Sequence, residues 1–173
     1  VAIFVVTGSV GNRPEWLAGT GHPDFDLDTM SAEALRQIAG GPGCIIGSHS
    51  ISHRRLGDLP INEIESELEN SRSLLRCLLD TPCEYLALPH GSYRQDVIDV
   101  ALRKGYRRVL TLDEIAVPGQ WPPGTIGRFS ASPDMWMLEF ALTVRGAYSW
   151  LHPWRGWVRR QRHLFADICH AGR

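Results

Sequence analysis

The hydrophobic pattern of this chain switches repeatedly between two rhythms. "VAIFVV" (1–6) is an unbroken apolar run, rich in β-branched residues and ended by "TGSVGN", which predicts a short, fully buried strand. Residues 11–30 lose periodicity and hold Gly, Pro and the alternating acids of "HPDFDLD", which predicts a loop. Ser31 is placed to cap a short helix, "AEALRQIA", that the glycines of "GGPG" stop. Cys44 to Gly47 predicts a second buried strand. After Pro60, "INEIESELENSRSLLRCLLD" sets Ile61, Ile64, Leu68, Leu75 and Leu78 on one helical stripe. Its acids come early and its arginines late, as the helix dipole favours.

The same alternation continues to the C-terminal side. "YLAL" predicts a third strand, stopped by Pro89 and Gly91, and "DVIDVALRKG" a helix stopped by Gly105. "YRRVLTL" predicts a fourth strand and "TIGRF" a weaker fifth. Pro133, after Ser132, takes the first helical position of a last helix, "DMWMLEFALTV". Strands alternating with helices predict an α/β fold, a parallel sheet or barrel with covering helices. In such folds active-site residues gather at the C-terminal ends of strands. Two stretches fall there: "GSHSISHRRLGDL" after the second strand and "LPHGSY" after the third.

His49 and His53 are spaced so that both rings can converge on one cation from a helical turn. Neutral imidazole suits Zn²⁺, Co²⁺ or Ni²⁺, and a carboxylate third ligand would leave positions for water. The spacing alone says little, because seven scattered histidines produce such a pair in roughly a quarter of chains this long. Position adds to it. The pair follows a strand, and Ser48, Ser50 and Ser52 surround it where a buried structural histidine would have apolar neighbours. A zincin-type protease is disfavoured, because Ser50 stands where that motif needs its general-base Glu.

Composition narrows the partners more than the chemistry. The 173 residues are enough for one core without staples, and with a net charge of −1 nothing global argues for nucleic acid or a strongly anionic partner, so none is expected. No apolar run reaches the roughly 18 residues of a membrane span. The four cysteines, Cys44, Cys77, Cys83 and Cys169, have no Cys-x-x-Cys or zinc-ribbon spacing, and Cys44, inside an apolar run, reads as a core thiol. The compartment stays open between bacterial cytoplasm and cell envelope. From Arg145 onward the chain turns basic and aromatic, with Trp150, Trp154 and Trp157. That tail reads either as a closing helix that buries its tryptophans, or as an interfacial or substrate-facing surface.

"GSHSISHRRL" followed by "YLALPHGSYRQDVIDVALRKGYRRVLT" resembles the NodB-homology polysaccharide deacetylases, carbohydrate esterase family 4. "VAIFVVTGSVG" is similar to that family's second strand, and "GTIGRFSASPDMWMLEFAL" to its late Arg-containing strand and following helix. The resemblance covers residues 1–145 and leaves 146–173 as a Trp/Arg-rich, helical C-terminal extension. It implies a distorted (β/α) barrel and metal-assisted hydrolysis of an N-acetyl, sometimes O-acetyl, group on a saccharide. It also implies His49 and His53 as metal ligands, with Ser50 positioning them. The backbone N–H of His90, after Pro89, becomes part of an oxyanion hole. Pro89 falls on the substrate side, Tyr93 either lines the cleft there or supports the turn, and Arg128 either orients a carboxylate or makes a surface ion pair.

The chain also departs from that pattern. The family's Thr-Phe-Asp-Asp-Gly motif, source of the base and third ligand, is absent, as are the first strand and helix. The opening inside a strand reads as a fragment of a longer chain. Its rival is a degenerate, non-catalytic carbohydrate-binding or scaffold module, with Asp24, Asp26 or Asp28 as a stand-in carboxylate. Ala87 and Leu88 replace the Arg region before the family's Pro, and His90 replaces an aromatic. The Leu-x-His of the general acid is not recognisable: "WLHPW" offers His152 at the wrong spacing, and His90 is an alternative proton donor. A barrel without its first strand exposes sheet edges, so self-association along residues 1–6 is expected.

Overall fold

The computed structural model describes residues 1–39, 41–112, 123–128 and 135–145. The C-terminal extension, with His152 and the three tail tryptophans, lies outside the described residues, as do Pro133 and Cys169. The contacts divide the chain into two compact units, one of residues 1–111 with 123–126, the other of 112–122 with 127–173.

The first unit contains five strands: β1 (Ala2–Val5), β2 (Ile45–Ser48), β3 (Tyr85–Ala87), β4 (Arg108–Leu110) and β5 (Thr125–Ile126). They form one parallel sheet in the order β1-β2-β3-β4-β5, with Val5 opposite Ser48, Ser48 opposite Leu86, and Leu86 opposite Val109. This order steps in one direction without the reversal of a doubly wound sheet, so the α/β expectation holds and the winding is that of a barrel wall. The helices α1 (Ala32–Ala39), α2 (Ile61–Leu79) and α3 (Gln95–Arg103) lie in the three successive crossovers. Right-handed crossovers stepping the same way put all three on one face, and α2 packs between the other two.

Local chemistry explains where the elements stop. The Ser31 hydroxyl accepts from the Ala34 N–H at 3.2 Å and opens α1, as its sequence position predicts. Gly105 takes φ +87° at the end of α3, and the next N–H, from Tyr106, bonds back to Ala101 at 3.1 Å. At Gly47 a Cβ would meet the Phe4 ring at 2.5 Å and the Tyr85 carbonyl at 2.9 Å, so only glycine lets the neighbouring strand side chains close over β2.

Burial corrects three expectations. β1 is not fully buried: Ala2 is exposed and Val5 is buried, because β1 is an edge of the sheet. The stripe on α2 is Ile64, Leu68, Ser71 and Leu75; Ile61 is 50 % exposed, and a serine occupies a core position. The core thiol is Cys83, while Cys44 is only half-buried just before β2. Among the described residues no helix is long and apolar enough to cross a membrane.

The second unit contributes one described helix, α4 (Met137–Val144), which starts after an extended Trp136, later than the sequence pattern predicts.

Candidate functional site

The two stretches singled out by sequence meet at the C-terminal ends of β2 and β3. The His49 N–H bonds the Val5 carbonyl at 2.8 Å, prolonging the β1–β2 ladder by one residue and fixing where the histidine leaves the sheet. Its Nδ1 lies 2.7 Å from the carbonyl oxygen of Ala87, the last residue of β3. A carbonyl can only accept, so Nδ1 carries the proton and the ring lone pair sits on Nε2.

The turn after His49 is tight and unusual. Ser50 (φ 65°) and His53 (φ 60°) both adopt the left-handed conformation that L-residues avoid. The Ser50 hydroxyl accepts from the His53 N–H at 3.1 Å, a bond that links the two ends of the turn. From β3, Pro89 opens a 3₁₀ turn, Pro89–Gly91, in which His90 is also left-handed at φ 56°. The His90 ring Nε2–H donates to the His53 carbonyl at 3.2 Å.

Three imidazoles therefore stack in a row. The His49 and His53 ring centroids are 4.9 Å apart, those of His53 and His90 4.6 Å, both edge-on. The middle ring has the most perturbed environment. Burial, with His49 and His90 adding repulsion, lowers the His53 pKa from 6.5 to about 4, so the ring is neutral at physiological pH. Its Nδ1 is, among the described residues, the buried side-chain N or O atom left with no hydrogen-bond partner.

Other predicted residues fall elsewhere. Tyr93 is half-buried and packs against the hydrophobic core. Arg128 follows β5 and belongs to the second unit, where burial lowers its pKa. The acidic loop is solvated, with Asp26 paired to Arg13 at 3.3 Å and the Asp24 N–H bonded to the His22 ring at 3.2 Å. Among the described residues no group of three His, Cys, Asp or Glu side chains gathers to hold a metal. The stand-in carboxylate is thus not found there.

Two contributors carried no sequence signal. Trp16, in the aperiodic loop, places its ring 5.3 Å from that of His53. With Phe4, Met30, Leu35 and the histidine pair it lines a cavity of ≈ 200 Å³. Glu67 sits on the polar side of α2, where its charge pattern matches that of any solvated helix acid, yet it bonds the histidine loop.

The donors present suit a divalent cation in kind. A neutral imidazole with an unpartnered buried nitrogen lies beside a second imidazole whose tautomer is set by a backbone carbonyl, the usual support of a metal-binding histidine. Two nitrogens are, however, fewer than the three protein ligands a catalytic zinc site uses.

The class defined by this architecture is that of singly wound, barrel-type α/β proteins, and relatives narrow it. Residues 1–109 match the family described as polysaccharide deacetylase. The chain belongs to that family, the NodB-homology deacetylases that its motifs resemble. A putative polysaccharide deacetylase of Bacillus subtilis (strain 168), YxkH, is 23% identical over 133 residues, which are 77% of this chain and 42% of that protein. Among solved structures, IcaB from Ammonifex degensii superposes with a TM-score of 0.66 at 22% identity, over 83% of this chain and 61% of that one. The Streptococcus pyogenes deacetylase PplD, solved in complex with acetate, gives 0.65 at 19% identity, over 83% and 57%. The chain therefore spans less than two thirds of the length of each.

Proposed function

We propose that this chain carries the imidazole side and the oxyanion side of a metal-dependent deacetylase acting on an acetylated saccharide, with N-acetyl as the favoured linkage and O-acetyl as the variant. The observation that carries the reading is the buried, partnerless Nδ1 of His53 beside an oriented His49. These two residues would hold the cation, Zn²⁺ first and Co²⁺ or Ni²⁺ as alternatives, which supplies Lewis-acid polarisation of the acyl carbonyl when bound. The Ala87 carbonyl fixes the His49 tautomer, and desolvation keeps His53 unprotonated. The His90 amide, set by Pro89 and the left-handed turn, contributes a fixed dipole toward the developing oxyanion. Pro89 shapes the substrate side through the turn it opens.

The carboxylate ligand and general base of the family's Asp-Asp motif have no counterpart in this sequence. The chain alone therefore binds Zn²⁺ weakly and turns over little substrate. Calorimetry with Zn²⁺ should show weak binding that disappears in His49→Ala and in His53→Ala. Joined to an Asp-bearing segment, the protein should deacetylate a chitooligosaccharide. Turnover indifferent to His49→Ala would sink the assignment.

The missing third donor among the described residues favours a second reading, a glycan-binding or scaffold module without turnover. It predicts glycan binding that survives His49→Ala and His53→Ala combined. Either protein presents the edge of β1, for which we propose self-association.

A further inference from the structure

The loop from His49 to His53 holds two left-handed non-glycine residues, a conformation that L-residues adopt only at a cost, so something outside it must keep it in shape. The chain after β1 provides part of the hold. The Thr7 N–H bonds the Ser50 carbonyl at 3.1 Å and the Gly8 N–H bonds the Ile51 carbonyl at 3.0 Å. A Cβ on Gly8 would lie 2.7 Å from that Ile51 oxygen, which shows how closely the two segments approach.

The rest of the hold comes from α2. One carboxylate oxygen of Glu67 accepts from the Ile51 N–H at 3.0 Å and the Ser52 N–H at 3.1 Å. The other accepts from the Ser52 hydroxyl at 2.5 Å. One turn along the same helix, Ser71 pairs with Ser48 at 2.7 Å, and the Ser48 hydroxyl accepts from the Ser50 N–H at 3.2 Å. The half-buried Glu67 is thus engaged by three donors of the segment between the two histidines. Bonds from N–H and O–H to an ionised carboxylate are stronger than neutral ones.

We propose that Glu67 is the positioning residue of the histidine pair: its carboxylate ties down residues 51 and 52 so that the His49 and His53 rings stay edge to edge, with no metal needed to assemble them. Glu67 is neither a ligand nor a base. It acts through the loop. The role rests on the metal-binding reading above only for its consequence, a cation site organised in advance.

The test uses the full metal-free chain and three variants: Glu67→Gln, Glu67→Ala and, as a charge control on the same helix, Glu69→Gln, whose carboxylate faces Lys104 at 2.7 Å. Amide exchange at Ile51 and Ser52 and the ring-to-ring nuclear Overhauser contacts of His49 and His53 are followed by NMR. Zn²⁺ affinity is measured by calorimetry, and global stability by urea. In Glu67→Ala the two amides should exchange at least about tenfold faster and the ring contacts should weaken. Zn²⁺ affinity should fall about tenfold to a hundredfold, the range for lost supporting hydrogen bonds at metal sites. Glu67→Gln, which keeps one acceptor oxygen, should fall between, and Glu69→Gln should match the parent. Unchanged exchange and ring contacts in both Glu67 variants would overturn the proposal, as would losses scaling only with the urea midpoint. A parent chain that takes up no Zn²⁺ removes the function proposed above, while exchange and ring contacts still decide the role of Glu67.

Discussion

At the scale of single residues, the site concentrates unfavourable features that a purely structural turn would shed. Four described non-glycine residues have positive φ, and Ser50, His53 and His90 are three of them. His53 combines that backbone with desolvation, which sets a pH signature. Its folded pKa of about 4 lies below the ordinary 6.5, so between those values the native state binds fewer protons than the unfolded chain. The stability this neutral ring permits is complete above about pH 6.5 and is lost as pH falls through 4. Urea midpoints measured from pH 7 to 3.5 should therefore decline less steeply in His53→Gln than in the parent. Identical slopes would contradict the buried-ring assignment. The cysteines separate in the opposite direction. Burial pushes the Cys83 thiol from 9.0 up to about 11, whereas Cys77 is exposed. Iodoacetamide at pH 8 should label Cys77 readily and Cys83 only on unfolding, by peptide mass mapping.

At the scale of elements, α2 does two jobs with two faces. Ile64, Leu68 and Leu75 fill the core, with Ser71 in the same stripe meeting Ser48 at the end of β2, while Glu67 reaches the loop that carries the histidines. Truncating Leu68, which is fully buried, should cost ~2–5 kcal/mol of unfolding free energy. Ile61→Ala, at an exposed position of the same apparent stripe, should cost less than about 1 kcal/mol. Equal losses at the two sites would refute the burial assigned to the helix. The stripe itself is legible in the periodicity. Which of its ends is covered is not, because coverage depends on where neighbouring elements stop.

At the scale of the whole molecule, the singly wound sheet brings the ends of β2 and β3 together, and with them both motifs. The same winding leaves β1 as an edge among the described residues, its outer backbone groups available to a further strand. Light scattering should find concentration-dependent association of the chain, reduced in Ala2→Lys, since a charge on an exposed edge position opposes strand pairing. A monomer at all concentrations would exclude the edge as a contact.

The order of strands and helices, the membership of the family and the placement of His49, His53 and Pro89 at strand ends are all legible in the residues alone. Those features are local: apolar periodicity, caps, and turn residues at short spacing. The rest depends on long-range folding. Trp16 meets His53, Ser71 meets Ser48, and the His53 nitrogen is stripped of partners, each through groups brought from distant parts of the chain. The carboxylate that completes a metal site was not supplied by folding among the described residues, for the acids near the site serve the loop or the solvent instead.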